Sequence, residues 1–223
     1  MIRIEKDDVF NLENAIRGMR NPLNSWSKID SQTCCNDIAG EVCNPNACKF
    51  EKVHCYNLGE NDMNLCKRLI NAGTEHRKFM RQIMVSVDIS APLYWWKEFD
   101  TYKIGTTANS CSTMHKLHTK PIELNDFSVE QLTPHGLKVM EGLIDELESL
   151  RKSYIENNNK ETWYTLIQLL PTSYNQLRTV TLNYEVLLNM YHQRKNHKLQ
   201  EWRDFCKWLF DLPYMQDFIA SSN

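Results

Sequence analysis

The sequence predicts an α+β protein in which helices pack with a small antiparallel or mixed sheet. Three observations carry that expectation. Residues 83–89, IMVSVDI, alternate cleanly: Ile83, Val85, Val87 and Ile89 face one way, and Met84, Ser86 and Asp88 the other. That is the period of a half-buried strand. Residues 139–155 set Met140, Leu143, Ile144, Leu147, Leu150 and Tyr154 on one stripe, the period of an amphipathic helix. Helical patterns dominate the second half of the chain, and there is no internal repeat, which is an α+β order of elements.

From the N-terminus, Ile2 and Ile4 mark a short strand, and a helix follows around Leu12 to Met19. Residues 21–60 are irregular. Pro22, Pro45, many Asn, Asp and Ser, and a cluster of cysteines make this a long loop with a Cys-rich insertion at about 31–60. Asp62 to Ala72 reads as a helix, capped by Asn61 or Asp62 and ended by Gly73. Pro92 breaks the 83–89 strand, and LYWWKEFDTY follows as a short helix. Residues 104–121, rich in Thr, Ser, Asn and Gly, read as an ordered loop. The 139–155 helix closes at Asn157-Asn158-Asn159, and Trp163 to Leu170 is helical up to Pro171. Thr179 to Arg194 and Lys198 to Leu212 read as two further helices.

The chain has 223 residues, 42% hydrophobic and 24% charged, which suits one folded domain over 1–223. A formal net charge of -2 leaves no basic surplus for a nucleic-acid backbone. No apolar run approaches the roughly 20 residues that span a bilayer. MIRIEKDDVF lacks the layout of a signal peptide. A cytoplasmic protein with no membrane and no nucleic-acid partner is expected. Glycine is scarce, with seven in the chain and no GxG, which argues against a P-loop and a Rossmann phosphate turn.

Five of the eight cysteines crowd into residues 34–55: Cys34, Cys35, Cys43, Cys48 and Cys55. Reduced thiols are expected in the absence of a signal peptide. No CxxC occurs, and no metal is assigned, though the spacing of Cys43, Cys48, His54 and Cys55 could clamp one.

Residues 101–116, TYKIGTTANSCSTMHK, gather hydroxyls, amides and basic groups directly after the aromatic helix. Such a loop suits a phosphate or a polar ring, or else it is a solvated Thr/Ser loop. On the 179–194 segment, Asn183, Leu187, Met190 and Arg194 are spaced to share one helix face, with polar groups at both ends of an apolar stripe. Asn189 projects from another side. Cys111 as a nucleophile would need a base, and His115 is the nearest histidine in sequence. No HExxH, GxSxG or paired-carboxylate signature is present.

Three segments together resemble the flavin-dependent thymidylate synthase family. AIRGMRNP resembles an early AAR-S segment. LCKRLINAGTEHRKFMRQIMVSVDISAPLYWWKEFDTYKIGTTANSCS has the family's layout of helix, Gly/His/Glu turn, alternating strand, xAP step, aromatic helix and signature loop. LIQLLPTSYNQLRTVTLNYEVLLNMYHQRKNHKLQEW is similar to the family's LP…N-x-R-x-L…N…R…Q run. The resemblance implies the thymidylate synthase-complementing-protein fold, a homotetramer with shared sites, and reductive methylation of dUMP. It also implies FAD as cofactor, with NADPH and methylenetetrahydrofolate as cosubstrates.

Residue by residue, the resemblance assigns flavin contacts to His76, Tyr102, Lys103, Ile104, Asn109, Asn183 and Asn189. It assigns dUMP to Ser110, Ser112, Gln168 and Arg194, with Arg194 holding and polarising the uracil ring. The family's signature motif is rewritten here. Its RHR cluster becomes Thr101, Tyr102 and Lys103, and Thr106 falls at its serine. Its Glu becomes Ser110, and its closing Arg becomes Met114, with His115 and Lys116 as the nearest replacement charges. A flavin-contacting Arg becomes Glu185, the Arg before the LP step gives way to Ile167 or Gln168, and a later His becomes Gln82. Three readings therefore stand: the family's reaction, a divergent homologue for another nucleotide or flavin, and a non-enzymatic scaffold. The scaffold reading rests on the Cys-rich insertion and on Trp95, Trp96, Trp202 and Trp208 as partner-facing groups, with core packing as the alternative for those aromatics. The helix Leu93 to Phe99 is the segment that would face a subunit interface.

Overall fold

The computed structural model describes residues 1–33 and 56–222. The Cys-rich segment, with Cys34, Cys35, Cys43, Cys48, His54 and Cys55, lies outside the described residues. In chain order the elements are β1 (Arg3–Phe10), α1 (Leu12–Gly18), β2 (Gln32–Thr33), β3 (Tyr56–Asn57), α2 (Glu60–Asn71), β4 (Met84–Pro92) and α3 (Leu93–Phe99). Then follow β5 (Thr106–Ser110), α4 (Thr113–Lys116), α5 (Pro134–Asn157), α6 (Lys160–Leu169), β6 (Asn175–Asn183), α7 (Tyr184–Arg194), α8 (Gln200–Trp208) and α9 (Met215–Ala220). Four strands form one sheet in the order β1-β4-β6-β5, and β2 pairs with β3 antiparallel. The architecture is helical with a small antiparallel sheet, the class that the periodicities predict.

The contacts divide into two compact units that both draw on the four strands. The first comprises Met1–Arg3, Asp88–Thr101 and Ala108–Thr179; the second comprises Ile4–Val87, Tyr102–Thr107 and Val180–Asn223. In the first unit, the stripe read from sequence becomes the core face of α5: Met140, Ile144 and Leu147 pack with Leu117, Ile122, Phe127, Leu166 and Tyr174. The helix begins earlier than its stripe, at Pro134, because Thr133 caps it by accepting the Gly136 N–H at 3.1 Å. Asn158 closes it in the left-handed conformation.

The aromatic helix α3 packs Trp95, Trp96 and Phe99 into this unit, with Lys97 exposed and Leu93, Tyr94 and Glu98 half-buried. Trp95 and Trp96 are fully buried and stack edge-on at 4.9 Å, each with Phe99 at 5.1 Å. Trp202 and Trp208 are buried too. The four tryptophans are core, so they give no support to a partner surface, and α3 offers no tryptophan face to another subunit. Large side chains supply most of the apolar area that helices this short can bury.

In the second unit, Ile83, Val85 and Val87 are buried on one face of the strand region, as their alternation predicts. Three sequence expectations are corrected. The helix over residues 60–71 takes no cap from Asn61 or Asp62, which lie inside it. Asp30 caps it from outside, accepting the N–H groups of Asn61 and Asp62 at 2.8 and 3.0 Å. Asp62 is instead buried. It accepts from Arg20 Nε at 2.6 Å and from the N–H groups of Ser31 and Asp30. Burial alone would raise its pKa, but its bonds to Ser31, Arg20 and Asp30 outweigh burial and hold the carboxyl below its usual value. The expected helix over 179–194 is a strand to Asn183 and a helix only from Tyr184. The expected loop over 104–121 contains β5, then α4 and a 3-10 turn. Beyond the last predicted helix, α9 adds Met215, Phe218 and Ile219 to the core.

Candidate functional site

The residues matched to the signature divide between the two units. In the second unit, Asn183 ends β6 and caps α7: its Oδ1 accepts the Val186 N–H at 3.0 Å. Asn183 is therefore not a member of the helix face proposed with Leu187, Met190 and Arg194. Leu187 and Met190 are buried along α7, and Arg194 ends it. The Asn183 amide nitrogen faces Gly105, whose φ is +77°. A Cβ there would lie 2.7 Å from that nitrogen and 3.3 Å from Val186 Cγ2. Only glycine combines this backbone conformation with so close an approach.

The structure brings Arg194 and Tyr102 together although they lie far apart in sequence. Arg194 Nε donates to the Tyr102 hydroxyl at 2.9 Å, and that hydroxyl donates to Gln193 Oε1 at 2.8 Å. The guanidinium carbon lies 4.7 Å from the Trp202 ring centre and 5.6 Å from that of Tyr102. Stacking on aromatic faces fixes the plane of the fork. Lys103 and Ile104 are exposed beside Tyr102, and Ile104 is 93% exposed. Thr106, at the family's serine, has a buried hydroxyl with no hydrogen-bond partner. Asn189 is half-buried on α7.

Glu185, where the family has an arginine, is 6% exposed. Its carboxylate meets Arg77 Nε at 2.9 and 3.1 Å. The reversed charge is thus absorbed by a buried ion pair. Sequence reading missed Arg77 because its partner is 108 positions away. Its neighbour His76 is exposed on the turn set by Gly73, whose carbonyl accepts the N–H groups of His76 and Arg77. His76 lines a cleft of about 680 Å³ with Gly18, Asn21, Glu75, Lys78 and Gln82. Gln82, at the position of the lost histidine, therefore faces the same space as His76.

In the first unit, Asn109 and Ser110 are exposed on β5. The Cys111 N–H donates to the Leu177 carbonyl at 2.9 Å, and Gln176 Nε2 donates to the Cys111 carbonyl at 2.7 Å. Ser112 caps α4 by accepting the His115 N–H at 3.0 Å. Its cleft, about 270 Å³, is also lined by Arg3, Cys111, Lys120, Asp126 and Tyr174. Among the described residues the charged side chains in this cleft are Arg3, Lys120 and Asp126; the expected His115 and Lys116 are exposed and do not line it. Lys120 Nζ donates to Asp126 Oδ1 at 2.5 Å, and that bond raises the Lys120 pKa. Gln168 is exposed on α6 and lines no part of this cleft. His115 gives Cys111 no base here, since no hydrogen bond joins its ring to Cys111. Burial pushes the other described thiols up, Cys206 to about 12. Among the described residues, no group of three His, Cys, Asp or Glu gathers as a metal site, and no helix is long and apolar enough to cross a membrane.

The sequence matches no protein-family model and no curated protein. Its architecture belongs to a known class of α+β folds, as solved structures match nearly its whole length. One is thymidylate synthase X from Helicobacter pylori with FAD and dUMP, at 18% identity and a TM-score of 0.65, covering 98% of this chain and 97% of that one. Another is a flavin-dependent thymidylate synthase from the same organism complexed with FAD and dUMP, at 18% identity and a TM-score of 0.66, covering 100% and 99%. The chain has the fold of the flavin-dependent thymidylate synthases.

Proposed function

We propose that the chain binds FAD and a pyrimidine nucleotide and converts dUMP to dTMP by reductive methylation, with NADPH and methylenetetrahydrofolate as cosubstrates. The observation that supports this reading most is the held guanidinium of Arg194. It stands at the position that the resemblance assigns to the uracil ring, and Tyr102 and Trp202 fix its plane. A planar fork of donors suits the carbonyl edge of a pyrimidine and polarises it.

The donor set fits a flavin. The orphaned Thr106 hydroxyl calls for a partner, Gly105 lets the signature loop pack closely against the Asn183 amide, and Lys103 brings a cation. When bound, FAD supplies the hydride relay, which is the cofactor's own chemistry. Lys103, Thr106, Asn183 and Asn189 would hold it, along with His76, Tyr102, Ile104 and Asn109 by resemblance. Arg194 orients the pyrimidine. Ser112, Arg3 and Lys120 take the phosphate, with Ser110 and Gln168 as further nucleotide contacts by resemblance. A homotetramer whose sites draw on several subunits is part of this reading, so one chain need not supply every group.

The test is the visible spectrum of the purified protein and an FAD titration with and without dUMP, followed by a dTMP assay with all cosubstrates. The expected result is a flavin band, uptake strengthened by dUMP, and product. No flavin under either condition overturns the proposal. A second reading, a divergent homologue for another nucleotide or flavin, is favoured by the settled replacements: Tyr102 bonded to Arg194, and Glu185 paired with Arg77. A thermal-shift panel of flavins and pyrimidine nucleotides separates the two; a shift with another ligand and none with dUMP selects the second.

A further inference from the structure

In the second unit, the groove between the 3-10 turns that follow α1 and the first half of α2 has an unusual lining. It measures about 540 Å³, and its polar walls are Arg20, Ser25, Lys28, Asn61, Asn64 and Arg68. Among the described residues no carboxylate lines it, although the chain carries 28 acidic residues against 26 basic ones. Arg20, Lys28 and Arg68 bring three cations to the groove from its two sides, and the buried Asp62 carboxylate behind it balances only Arg20.

Arg20 decides what the groove is built for. The residue is 3% exposed. Asp62 holds its Nε at 2.6 Å, and Nη1 reaches the Ser25 hydroxyl on the groove wall at 3.4 Å. Its Nη2 is buried and has no partner among the described residues. A buried guanidinium donor without an acceptor is a standing cost to the fold, and an oxyanion entering beside Ser25 would remove it. The Asp62 contact fixes the side chain before any ligand arrives, which lowers the ordering cost of binding. Lys28 and Arg68 are exposed, and Asn61, Asn64 and Ser25 add neutral donors.

We propose that this groove binds a phosphate-bearing anion, with Arg20 at its floor and Lys28 and Arg68 at its rim. Three cations suit a diphosphate better than a single phosphate, because a diphosphate spreads its charge over two groups of oxygens. The groove shares only Leu23 with the His76 cleft. It is a site apart from the flavin and nucleotide contacts proposed above.

The test is calorimetric titration of the full chain with inorganic pyrophosphate, inorganic phosphate and ADP. It is repeated on the double variant Lys28→Glu with Arg68→Glu, and on Lys103→Glu. Both rim residues are exposed, so the double variant leaves the Arg20–Asp62 pair intact. The expected result is saturable pyrophosphate binding, weakened at least about tenfold in the double variant and unchanged in Lys103→Glu. ADP binding tighter than pyrophosphate would identify a nucleoside diphosphate as the occupant, and equal binding would identify the bare diphosphate. Absence of binding by the wild-type chain overturns the proposal. So does binding that survives the double variant or disappears in Lys103→Glu.

Discussion

The start of α7 and the Ser112 cleft have both lost arginines relative to the family that the sequence resembles, and they answer the loss differently. On α7 the substituted residue is acidic, and the fold absorbs it: Glu185 is buried against Arg77. Around Ser112, Met114 stands at the matched arginine and does not line the cleft, whereas Arg3 and Lys120 do, with Asp126 bonded to Lys120. Matched positions alone show a reversal in one place and a deficit in the other. Geometry shows an ion pair in the first, and in the second an ion pair with one further cation, Arg3.

The largest expected effect falls on the buried pair. Arg77→Ala should leave Glu185 without its cation and cost about 3–5 kcal/mol in urea unfolding, whereas replacing both partners with apolar residues of similar volume should recover most of that. A loss below about 1 kcal/mol in the single variant would mean that solvent, not Arg77, balances Glu185. Next is Gly105→Ala, expected to cost about 1–3 kcal/mol through its backbone conformation and its approach to Asn183, and to weaken flavin uptake. Gly142→Ala on α5 is the control. No atom lies within 4 Å of a Cβ there, and a stability gain of up to about 1 kcal/mol is expected from helix propensity.

The Ser112 side of the comparison depends on how the segment bearing Lys120 is held. Glu148 accepts from the Ile122 N–H at 3.0 Å and from Arg151 Nε and Nη2 at 2.7 and 2.6 Å, while Arg151 Nη1 donates to the His118 carbonyl. The Arg151 guanidinium is the main cause that lowers the Glu148 pKa from 4.5 to about 2. A carboxyl with a depressed folded pKa stabilises above its unfolded value and loses that contribution as pH falls through the folded one. Stability should therefore fall between pH 4.5 and about 2, and Glu148→Gln should flatten that limb in acid unfolding followed by circular dichroism. The smallest effect is expected for Lys120→Met, an exposed cation. It should weaken dUMP binding a few-fold and reduce its salt dependence. An unchanged salt dependence would mean that Arg3 alone carries the charge.

The strand IMVSVDI and the α5 stripe were legible in the sequence because burial imposes a period on one element by itself. The strand β5 was not, because TTANS has no apolar alternation, and all of it but Thr106 is exposed. It is a strand because it lies beside β6 in the sheet, and that is a tertiary cause. The β6–α7 boundary was missed for a related reason: Val180 and Leu182 fit a strand as well as a helix, and Asn183 declares itself a cap only when its bond to Val186 is seen. Of the candidate site, the resemblance singles out Arg194 and Asn183, but does not show that Tyr102 holds the one or that the other caps α7. Arg77, Arg3 and Lys120 were not legible, since their roles come from partners far along the chain or from a shared cleft wall.

The short pair β2–β3 has a practical consequence. Thr33 sits opposite Tyr56, and Gln32 opposite Asn57, so the two ends of the Cys-rich segment are delivered side by side. Leu58 and Tyr56 are in turn tied to the Tyr214 hydroxyl at 2.9 and 3.0 Å. Once the two ends are held at pairing distance, loop length becomes a weak variable: each doubling costs only about 0.6 kcal/mol in closure entropy. Tyr56 and Thr33 are thus a natural splice junction. Any connection that replaces residues 34–55 would have to join the body at these two points, and a tight turn already spans the distance between them.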